Sequence, residues 1–273
     1  LWSVDFAAGS VGISANGEYI VACGEKLYLF HKDSPTPLWS APSCSDVVIS
    51  ADGQYIAAYS NYVDKNNSNV WTNNPILYLF HKDRNISFQS YNITNSSSAW
   101  YGPYKYIEFL SVKISDNGQY IVASTECRGS NGDAHSAKIH FFNKDINEIL
   151  WNYTFDEVTN ETTYSGIKTV VSSISISADG QYIAAGANGL YLFHKDSSEP
   201  LWSHTTEKFI SPGHYLNGEL IQGYQVAISA NGKYIAAGHH QSSSFSKIYL
   251  FKIDSNIPLW NYTIYGDTSS ISI

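Results

Sequence analysis

Histidines are the residues of this chain best suited to metal or acid–base chemistry, but their spacing keeps them apart. His31, His81 and His194 each precede Lys-Asp and recur once per repeat of the sequence. We therefore expect them on separate structural units, where they cannot share one metal ion. His239 and His240 are consecutive, and consecutive residues of a strand point to opposite faces. The histidine pattern therefore predicts no metal site.

Oxygen ligands and acidic pairs give no stronger signal. Asp64, Asn66 and Ser68 have the alternate spacing of a calcium loop, but the glycine and the final glutamate of such loops are missing. Phosphate-binding, dinucleotide-binding, zinc-protease and serine-hydrolase motifs are absent from the sequence. We therefore expect no catalytic residue, no cofactor and no enzyme activity. The acidic residues that could serve glycoside hydrolysis show no convergent spacing: Glu126, Asp133, Glu161 and Glu219.

The chain has three cysteines, an odd number. Cys23 ends a predicted strand, Cys44 precedes the next repeat, and Cys127 lies in a connection that we expect on the same side of the molecule. A Cys23–Cys44 disulfide is the pairing we expect, with Cys44–Cys127 as the alternative. In a third interpretation all three are unpaired small core residues.

Seven Asn-x-Ser/Thr sequons predict N-glycosylation. Two of these asparagines directly follow the tryptophan of a predicted outer strand, where alternation turns them towards solvent. The other five lie in predicted loops or turns. We therefore expect a secreted or cell-surface protein of archaeal or eukaryotic type. The seven asparagines are Asn66, Asn85, Asn92, Asn95, Asn152, Asn160 and Asn261.

The elements that carry these residues follow from a repeated motif, Ser-Ala-Asp/Asn-Gly-x-Tyr-Ile-x-Ala, with Asp116 in place of Ala in the third copy. The Asp-Gly or Asn-Gly step predicts a two-residue hairpin turn between two strands. A third strand of the type Leu27-Tyr-Leu-Phe-His follows, aligned with Lys138-Ile-His-Phe-Phe in the third repeat. A fourth strand carries Leu-Trp, with Phe88 in place of Trp in the second repeat. The motif begins at Ser14, Ser50, Ser115, Ser177 and Ser229.

Four short antiparallel strands, repeated at this interval, predict an all-β chain folded as a β-propeller. We expect one domain over residues 1–273, with partial blade strands at both ends. The five complete blades are predicted at about 11–40, 46–91, 110–155, 172–203 and 225–263.

These repeats resemble those of the WD40-like and quinoprotein-like (PQQ-like) propellers, of an extracellular type. The Ser-Ala-Asp-Gly half is similar to the former and the Leu-Tyr-Leu-Phe…Leu-Trp half to the latter. The resemblance covers nearly the whole chain and implies a fold rather than an activity. The Gly-His and Trp-Asp dipeptides of WD40 blades and the quinone-binding residues have no match.

The two ends of the chain also match parts of a blade. Leu1-Trp2-Ser3 is similar to a fourth strand, and Ser269–Ile273 to a first strand. The ends could form a sixth blade that lacks its central hairpin, or the sequence could be a window on a longer polypeptide. In a third interpretation they complete blades of neighbouring molecules and so build a filament.

Long connections fall on one predicted face of the propeller, and such loops commonly carry binding surfaces. The net charge of −8 argues against nucleic acid, and no apolar run approaches a membrane span. Aromatic side chains in these loops could contact a sugar or a protein partner. The candidates are Trp71, Trp100, Tyr101, Tyr104 and Tyr106.

We therefore expect a non-catalytic, extracellular, N-glycosylated structural subunit of a surface layer or filament. Its partners would be copies of itself, or other surface proteins and glycans. One alternative is an adhesion module that binds glycans or proteins through the long-loop face. A second alternative is an enzyme acting on polysaccharides.

Overall fold

The regular elements of the computed structural model are β-strands throughout the part of the chain that it describes. They form five four-stranded antiparallel sheets, called blades I to V here, and two separate two-stranded hairpins. The described residues are 2–4, 8–61, 63–65, 71–73, 75–92, 106–128, 134–155, 170–171, 173–205, 215–216, 219–220, 223–242, 245–266, 268 and 270–273.

The strands follow the chain in simple order within each blade. Blade I contains β1 (Ala8–Ile13), β2 (Tyr19–Gly24), β3 (Leu27–His31) and β4 (Trp39–Ala41). Blade II contains β5 (Asp46–Ile49) and β6 (Tyr55–Ser60), then the separate hairpin of β7 (Val63–Lys65) and β8 (Trp71–Asn73), then β9 (Ile76–His81) and β10 (Gln89–Asn92). Blade III contains β11 (Tyr106–Ile114), β12 (Tyr120–Arg128), β13 (Ala134–Asn143) and β14 (Ile149–Phe155).

The last two blades repeat the same order with one insertion between them. Blade IV contains β15 (Ser173–Ile176), β16 (Tyr182–Gly186), β17 (Leu190–His194) and β18 (Pro200–His204). A separate hairpin follows, of β19 (Tyr215–Leu216) and β20 (Glu219–Leu220). Blade V contains β21 (Gln225–Ile228), β22 (Tyr234–Ser242), β23 (Phe245–Lys252) and β24 (Trp260–Tyr265).

The repeated serine explains why each blade begins with the same turn. In blade III the Ser115 hydroxyl accepts the Tyr120 N–H at 3.0 Å and donates to Asn117 Oδ1 at 2.7 Å. Asn117 Oδ1 in turn accepts the Gln119 N–H, and Gly118 takes a φ of 69° that favours glycine. Because this serine is buried in every blade, its bonds replace those that water would make. The sequence motif is therefore a self-contained turn.

The apolar core is divided among the blade-to-blade boundaries, which we call seams. Each of the four buried clusters combines residues of two consecutive blades. At the seam of blades I and II, Leu27 and Leu29 of β3 pack with Val47 and Ile56 of blade II. Stability therefore depends on each blade having a neighbour, as in other repeat proteins.

The turns between first and second strands also connect successive blades. Ala15 N–H donates to the Ala51 carbonyl, Ala51 N–H to Asp116, and Asp116 N–H to Ala178, each at 3.0 Å. These bonds link blades I to IV at the inner strands. The contacts of β1 with β5 and of β15 with β21 also lie between inner strands.

The predicted fold, five four-stranded blades of a β-propeller, is confirmed, and three details of the prediction are wrong. The first turn is longer than a two-residue hairpin: it spans Ser14–Glu18 in blade I, because the serine hydroxyl and carbonyl both take part in it. The predicted alignment of the third strand of blade III is one residue too early, since Tyr120 pairs with Asn143 where Tyr19 pairs with His31. In blade II the tryptophan position is held by Gln89 and not by Phe88. None of the described residues forms a helix of the length and apolarity that a bilayer crossing requires.

Candidate functional site

The recurring histidines take part in a turn at the end of each third strand. His31 Nδ1 lies 3.3 Å from the Asp33 carboxylate and accepts the Asp33 N–H. The Lys32 ammonium donates to the same carboxylate, and this hydrogen bond lowers the Asp33 pKa. His81 and His194 make the same contact in blades II and IV. These histidines therefore hold turns together, and the described residues contain no cluster suited to a metal ion.

Blade III contains a buried polar pair that the sequence analysis did not identify. His140 Nε2 lies 2.9 Å from Thr125 Oγ1, and both side chains are buried. Burial lowers the His140 pKa to about 3. The imidazole is therefore neutral near pH 7. Glu126 is buried nearby on β12, while Glu219 begins β20 and Asp133 and Glu161 lie outside the described residues.

The aromatic residues predicted to contact a ligand remain a prediction. Trp71 begins β8 and Tyr106 begins β11. Their side chains are outside the described part of the structure, as are residues Trp100, Tyr101 and Tyr104. Asp64 lies in β7, and the rest of the possible calcium loop, Asn66 and Ser68, is also outside.

Three of the seven sequon asparagines have described surroundings, and all three are exposed. Asn85 lies in the connection from β9 to β10, Asn152 on β14 and Asn261 on β24. Asn92 ends β10, whereas residues Asn66, Asn95 and Asn160 lie outside the described residues. Glycosylation itself stays a prediction.

A disulfide joins Cys23 to Cys44, with Cα atoms 5.6 Å apart. It connects the end of β2 to the segment that leads into blade II, across 21 positions of sequence. Closing a loop of that size stabilises a fold by about 3 kcal/mol. Cys127 lies on β12, and its side chain is outside the described part.

A tryptophan donor recurs at the seams. The indole N–H of the fourth-strand tryptophan donates to the carbonyl that follows the third strand of the next blade. The same indole lies 5.7 Å, between ring centroids, from a phenylalanine of that strand. The hydrogen bonds are Trp39 to Lys82 at 2.6 Å, Trp151 to Lys195 at 2.7 Å and Trp202 to Ile253 at 2.8 Å.

A second recurring contact joins a tyrosine to the next blade. The first-turn glycine of the next blade lies against the tyrosine that starts the second strand. A Cβ at Gly53 would lie 2.7 Å from the Tyr19 ring, so only glycine allows this approach. The lysine after the third strand covers the same ring, with Lys82 Nζ 5.6 Å from the Tyr19 centroid. At such a seam, the blade that supplies the tryptophan N–H forms the donor side. The next blade, which supplies the accepting carbonyl, forms the acceptor side.

The seam of blades II and III differs because Gln89 occupies the tryptophan position, since it pairs with Leu79 as Trp39 pairs with Leu29. The prediction of Phe88 as the tryptophan equivalent is therefore wrong: Phe88 matches Leu38, and both are exposed. Tyr91 takes part of the role: its hydroxyl lies 2.8 Å from the Ile146 carbonyl oxygen, and its ring centroid is 4.5 Å from that of Phe142. A shallow pocket remains beside Phe88. Its walls are Tyr55, His81, Asp83, Arg84, Lys144 and Asp145.

Blade I presents an acceptor side whose inner part is uncovered. Val11 is 68% exposed, whereas its equivalents in blades II to V, Val47, Val112, Ile174 and Val226, are 0 to 5% exposed. Ile13 is 62% exposed. A Cβ at Gly17 would meet no atom within 4 Å, unlike those at the equivalent glycines of the other blades. We call this surface the blade I open face.

Blade V presents an uncovered donor side. Trp260 is 49% exposed, and its indole N–H has no partner in the described part of the chain. Leu259 and Tyr262 beside it are also exposed. Leu250 is only half-buried, whereas its equivalent Leu192 in blade IV is fully buried. We call this surface the blade V open face.

Two described segments near the chain ends lie where a further blade would place its strands. Trp2 donates to the Lys32 carbonyl at 2.7 Å and lies 5.7 Å from Phe30, which is the seam geometry of Trp39. Thr268 is buried against Gly238 of blade V. Residues 2–4 and 270–273 belong to no strand of the structure. Residues 2–4 correspond to the outer strand of a blade, and residues 270–273 correspond to an inner strand.

Comparison with solved structures supports the propeller fold. Kuenenia stuttgartiensis hydrazine synthase matches with a TM-score of 0.57 at 13% identity, over 92% of this chain and 66% of that chain. The β-propeller domain of Myceliophteria thermophila Cps50 (Swd1) matches with a TM-score of 0.56 at 12% identity, over 96% of this chain and 74% of that chain. At these identities the likeness shows the fold alone.

No protein-family model matches the chain, and no curated protein is similar to it in sequence. The WD40-like or quinoprotein-like relationship therefore remains a resemblance of repeats. This chain spans slightly less than two thirds of the hydrazine synthase chain that it matches.

The open faces were missed by sequence reasoning. Val11 aligns with residues that are buried in four other blades, and Ile13 with residues that are buried or partly buried. The exposure of Val11 and Ile13 cannot be read from that alignment, because it depends on which blade packs against them.

Proposed function

We propose that this propeller is a non-catalytic structural subunit of an extracellular assembly and that it associates through its two open faces. The observation that carries the proposal is the 68% exposure of Val11 at a position buried in every other blade. Exposed apolar surface of this kind marks interaction sites in soluble proteins. The donor and acceptor sides are different surfaces, so contacts between subunits are head-to-tail and can form open chains.

The extracellular part of the proposal is supported by the disulfide and by the exposed sequons. Disulfides persist in oxidising compartments. Asn85, Asn152 and Asn261 are accessible to glycosylation. An acidic chain with 16 Lys and Arg also suits neither nucleic acid nor an acidic surface.

Self-association of the purified chain tests the structural role. Sedimentation velocity over a wide concentration range should give species larger than the monomer. Val11→Asp places a charge on the blade I open face and should return the chain to a monomer. Ile86→Asp is the matched control, because Ile86 is an exposed apolar residue in the β9–β10 connection of blade II. A wild-type chain that stays monomeric up to its solubility limit contradicts the proposal.

Secretion from a eukaryotic host tests the extracellular part. Intact mass before and after enzymatic deglycosylation should differ by whole glycans, and Asn152→Gln and Asn261→Gln should each remove one glycan. A secreted chain of unmodified mass at all sequons contradicts the glycosylation part of the proposal and leaves the association part standing.

A further inference from the structure

A large ring recurs in three of the four seams between the described blades, two positions after the tryptophan position of the fourth strand. Each ring packs on the third-strand phenylalanine of the next blade. The pairs, with the distances between their ring centroids, are Tyr91 and Phe142 at 4.5 Å, Tyr153 and Phe193 at 5.1 Å, and His204 and Phe251 at 5.0 Å. These rings fill the outer part of their seams.

The seam of blades I and II has an alanine at this position. Ala41 pairs with Leu27 at the register that Tyr91 holds in blade II. Its methyl group is too short to cover the phenylalanine of the next blade, Phe80, as a ring does. A groove of about 250 Å³ lies beside Phe80 instead, in the place where the other seams have a ring.

The groove is mostly apolar, and the fold fixes its walls. Leu27 is buried, and Cys44 is held by its disulfide to Cys23. Tyr78 belongs to β9, which is paired on one side with β6 and on the other with β10. The groove is smaller than the roughly 300–1,000 Å³ of sites for drug-sized ligands. It therefore suits a single ring.

The rim of the groove carries a sequon. Residues 85–87, Asn-Ile-Ser, line the groove, and Asn85 is exposed. Residues 256–258 of blade V occupy the equivalent turn, where the Asn256 carbonyl oxygen lies 3.0 Å from His204 Nδ1. This part of the turn therefore reaches the seam ring in blade V, and Asn85 is placed to reach the position that lacks one.

We propose that the first sugar of an N-glycan on Asn85 folds into this groove and takes the place of the missing ring. The inference rests on the glycosylation part of the proposed function and names the seat of one glycan. The linkage joins Asn85 Nδ2 to C1 of the sugar, with loss of a proton from the nitrogen and of the diphosphate carrier from the activated sugar donor. The C–H face of the sugar packs on Tyr78 and Phe80, while its hydroxyl groups stay towards water.

Covalent attachment favours this occupant over a free ligand. A tethered group meets its site at an effective concentration of the order of millimolar, so a contact too weak to hold a free sugar suffices. The sequons at Asn152 and Asn261 provide the contrast, because these asparagines are exposed on the fourth strands β14 and β24. Their glycans begin on an open strand face.

The first test is spectroscopic. The chain is secreted from a eukaryotic host, and each glycan is trimmed enzymatically to one N-acetylglucosamine. Protons of the Asn85 sugar should show nuclear Overhauser contacts to the ring protons of Tyr78 and Phe80, and Asn85→Gln identifies these signals by removing them. An Asn85 sugar without contacts to either ring overturns the proposal.

Thermal unfolding of the same trimmed protein is the second test. Asn85→Gln should lower the melting temperature by about 3 °C, because the groove loses its occupant. Ser87→Ala removes the same glycan while keeping Asn85 and should have the same effect. The matched control, Asn152→Gln, removes a glycan from an exposed strand and should change the melting temperature by less than about 1 °C. Equal changes at the two sequons overturn the proposal.

Ala41→Tyr tests the position of the sugar. The new ring fills the groove from within, as Tyr91 and Tyr153 fill their seams. In the Ala41→Tyr chain the sugar has no groove to enter, so Asn85→Gln should no longer lower the melting temperature. A glycan that contributes equally with and without Ala41→Tyr has its seat elsewhere, which overturns the proposal. The first two tests do not depend on this variant.

Mass spectrometry separates this inference from the glycosylation on which it rests. If Asn85 carries a glycan that makes no ring contacts, glycosylation stands and the groove assignment fails. If Asn85 of the secreted chain is unmodified, both fail at this site. If Tyr78 and Phe80 become covered only when the Asn85→Gln chain self-associates, the groove belongs to the contact between subunits and the proposal is overturned.

Discussion

The seam between blades III and IV is closed, because the two blades cover each other there. The blade V open face carries the same residues, but no described blade covers it. Trp151 donates to Lys195 and lies 5.7 Å from Phe193, whereas the equivalent Trp260 is half-exposed without a described partner. The repeat sequence therefore determines how a blade folds, but the neighbouring blade determines what its residues contribute. Identical side chains are structural at a seam and available for binding at an open face.

The seam of blades II and III lies between these extremes. Its apolar cluster is complete, with Phe109, Val112 and Phe142 fully buried. Only its outer part, at Gln89, lacks the tryptophan contact. A seam can thus lose the tryptophan hydrogen bond while its apolar core stays buried. The hydrogen bond and the apolar packing are therefore separate contributions to the seam.

Removing the two equivalent tryptophans gives the largest expected contrast. Trp151→Ala should lower the free energy of unfolding by about 3 kcal/mol, because it loses ring burial and leaves the Lys195 carbonyl without its donor. Trp260→Ala should lower it by less than about 0.5 kcal/mol, as for exposed residues outside a packed site. Urea unfolding of the monomeric Val11→Asp background measures both.

Trp202→Ala extends this comparison, since Trp202 donates to Ile253 across the last closed seam. It should resemble Trp151→Ala. Equal losses for Trp151→Ala and Trp260→Ala would mean that the blade V open face is already covered in the isolated chain.

The sequence sufficed for the blades because each of their signals is local. The Ser-Ala-Asp-Gly turn closes within six residues, from Ser14 to Tyr19, and alternation sets the strand faces. Even the register error in blade III came from a local ambiguity, since Phe141 and Phe142 can each be aligned with the single phenylalanine of the other repeats. The pairing of Tyr120 with Asn143 sets the register, and this pairing cannot be read from the repeat pattern.

The contacts that define the candidate surfaces are not local. The seam tryptophans are visible as repeats, but their acceptors lie 43 to 51 residues away in the chain. The substitution of the tryptophan by Gln89 is also visible, yet the pocket at this seam depends on Lys144 and Asp145 of the next blade. Loop aromatics such as Trp100 have no equivalents in the other repeats, so the repeat alignment cannot indicate what they contact.

Acidification should lower the free energy of unfolding through the buried His140 of blade III. Burial lowers the His140 pKa to about 3, and an unfolded histidine titrates near its ordinary value of 6.5. Between these values the unfolded chain binds the extra proton, so stability is complete above pH 6.5 and falls as the pH drops towards 3. At pH 5 the loss should be about 2 kcal/mol relative to pH 7.5.

Urea unfolding at pH 7.5 and pH 5 measures this loss, and His140→Gln is the matched variant. Glutamine can keep a hydrogen bond to Thr125 but cannot take up the proton. Its stability should therefore change little between the two pH values. The Asp33, Asp83 and Asp196 carboxylates, whose pKa values are lowered from 3.8, lose their contribution only at more acid pH. An unchanged slope in His140→Gln would show that the proton binds elsewhere.

Gln89→Trp should convert the partly closed seam into a closed one, with the smallest effect of the three. The new indole takes the position of Trp39, and its N–H can donate to the Lys144 carbonyl, as Trp39 does to Lys82. Burying a ring and adding one hydrogen bond should raise the free energy of unfolding by about 1 kcal/mol. Gln89→Leu is the control, since it adds an apolar side chain without ring or donor and should give a smaller gain. Because Tyr91 already contacts Ile146 and Phe142 at this seam, Gln89→Trp adds stability only if the two rings fit together. A loss of stability in Gln89→Trp would mean that Tyr91 occupies the space that the indole needs.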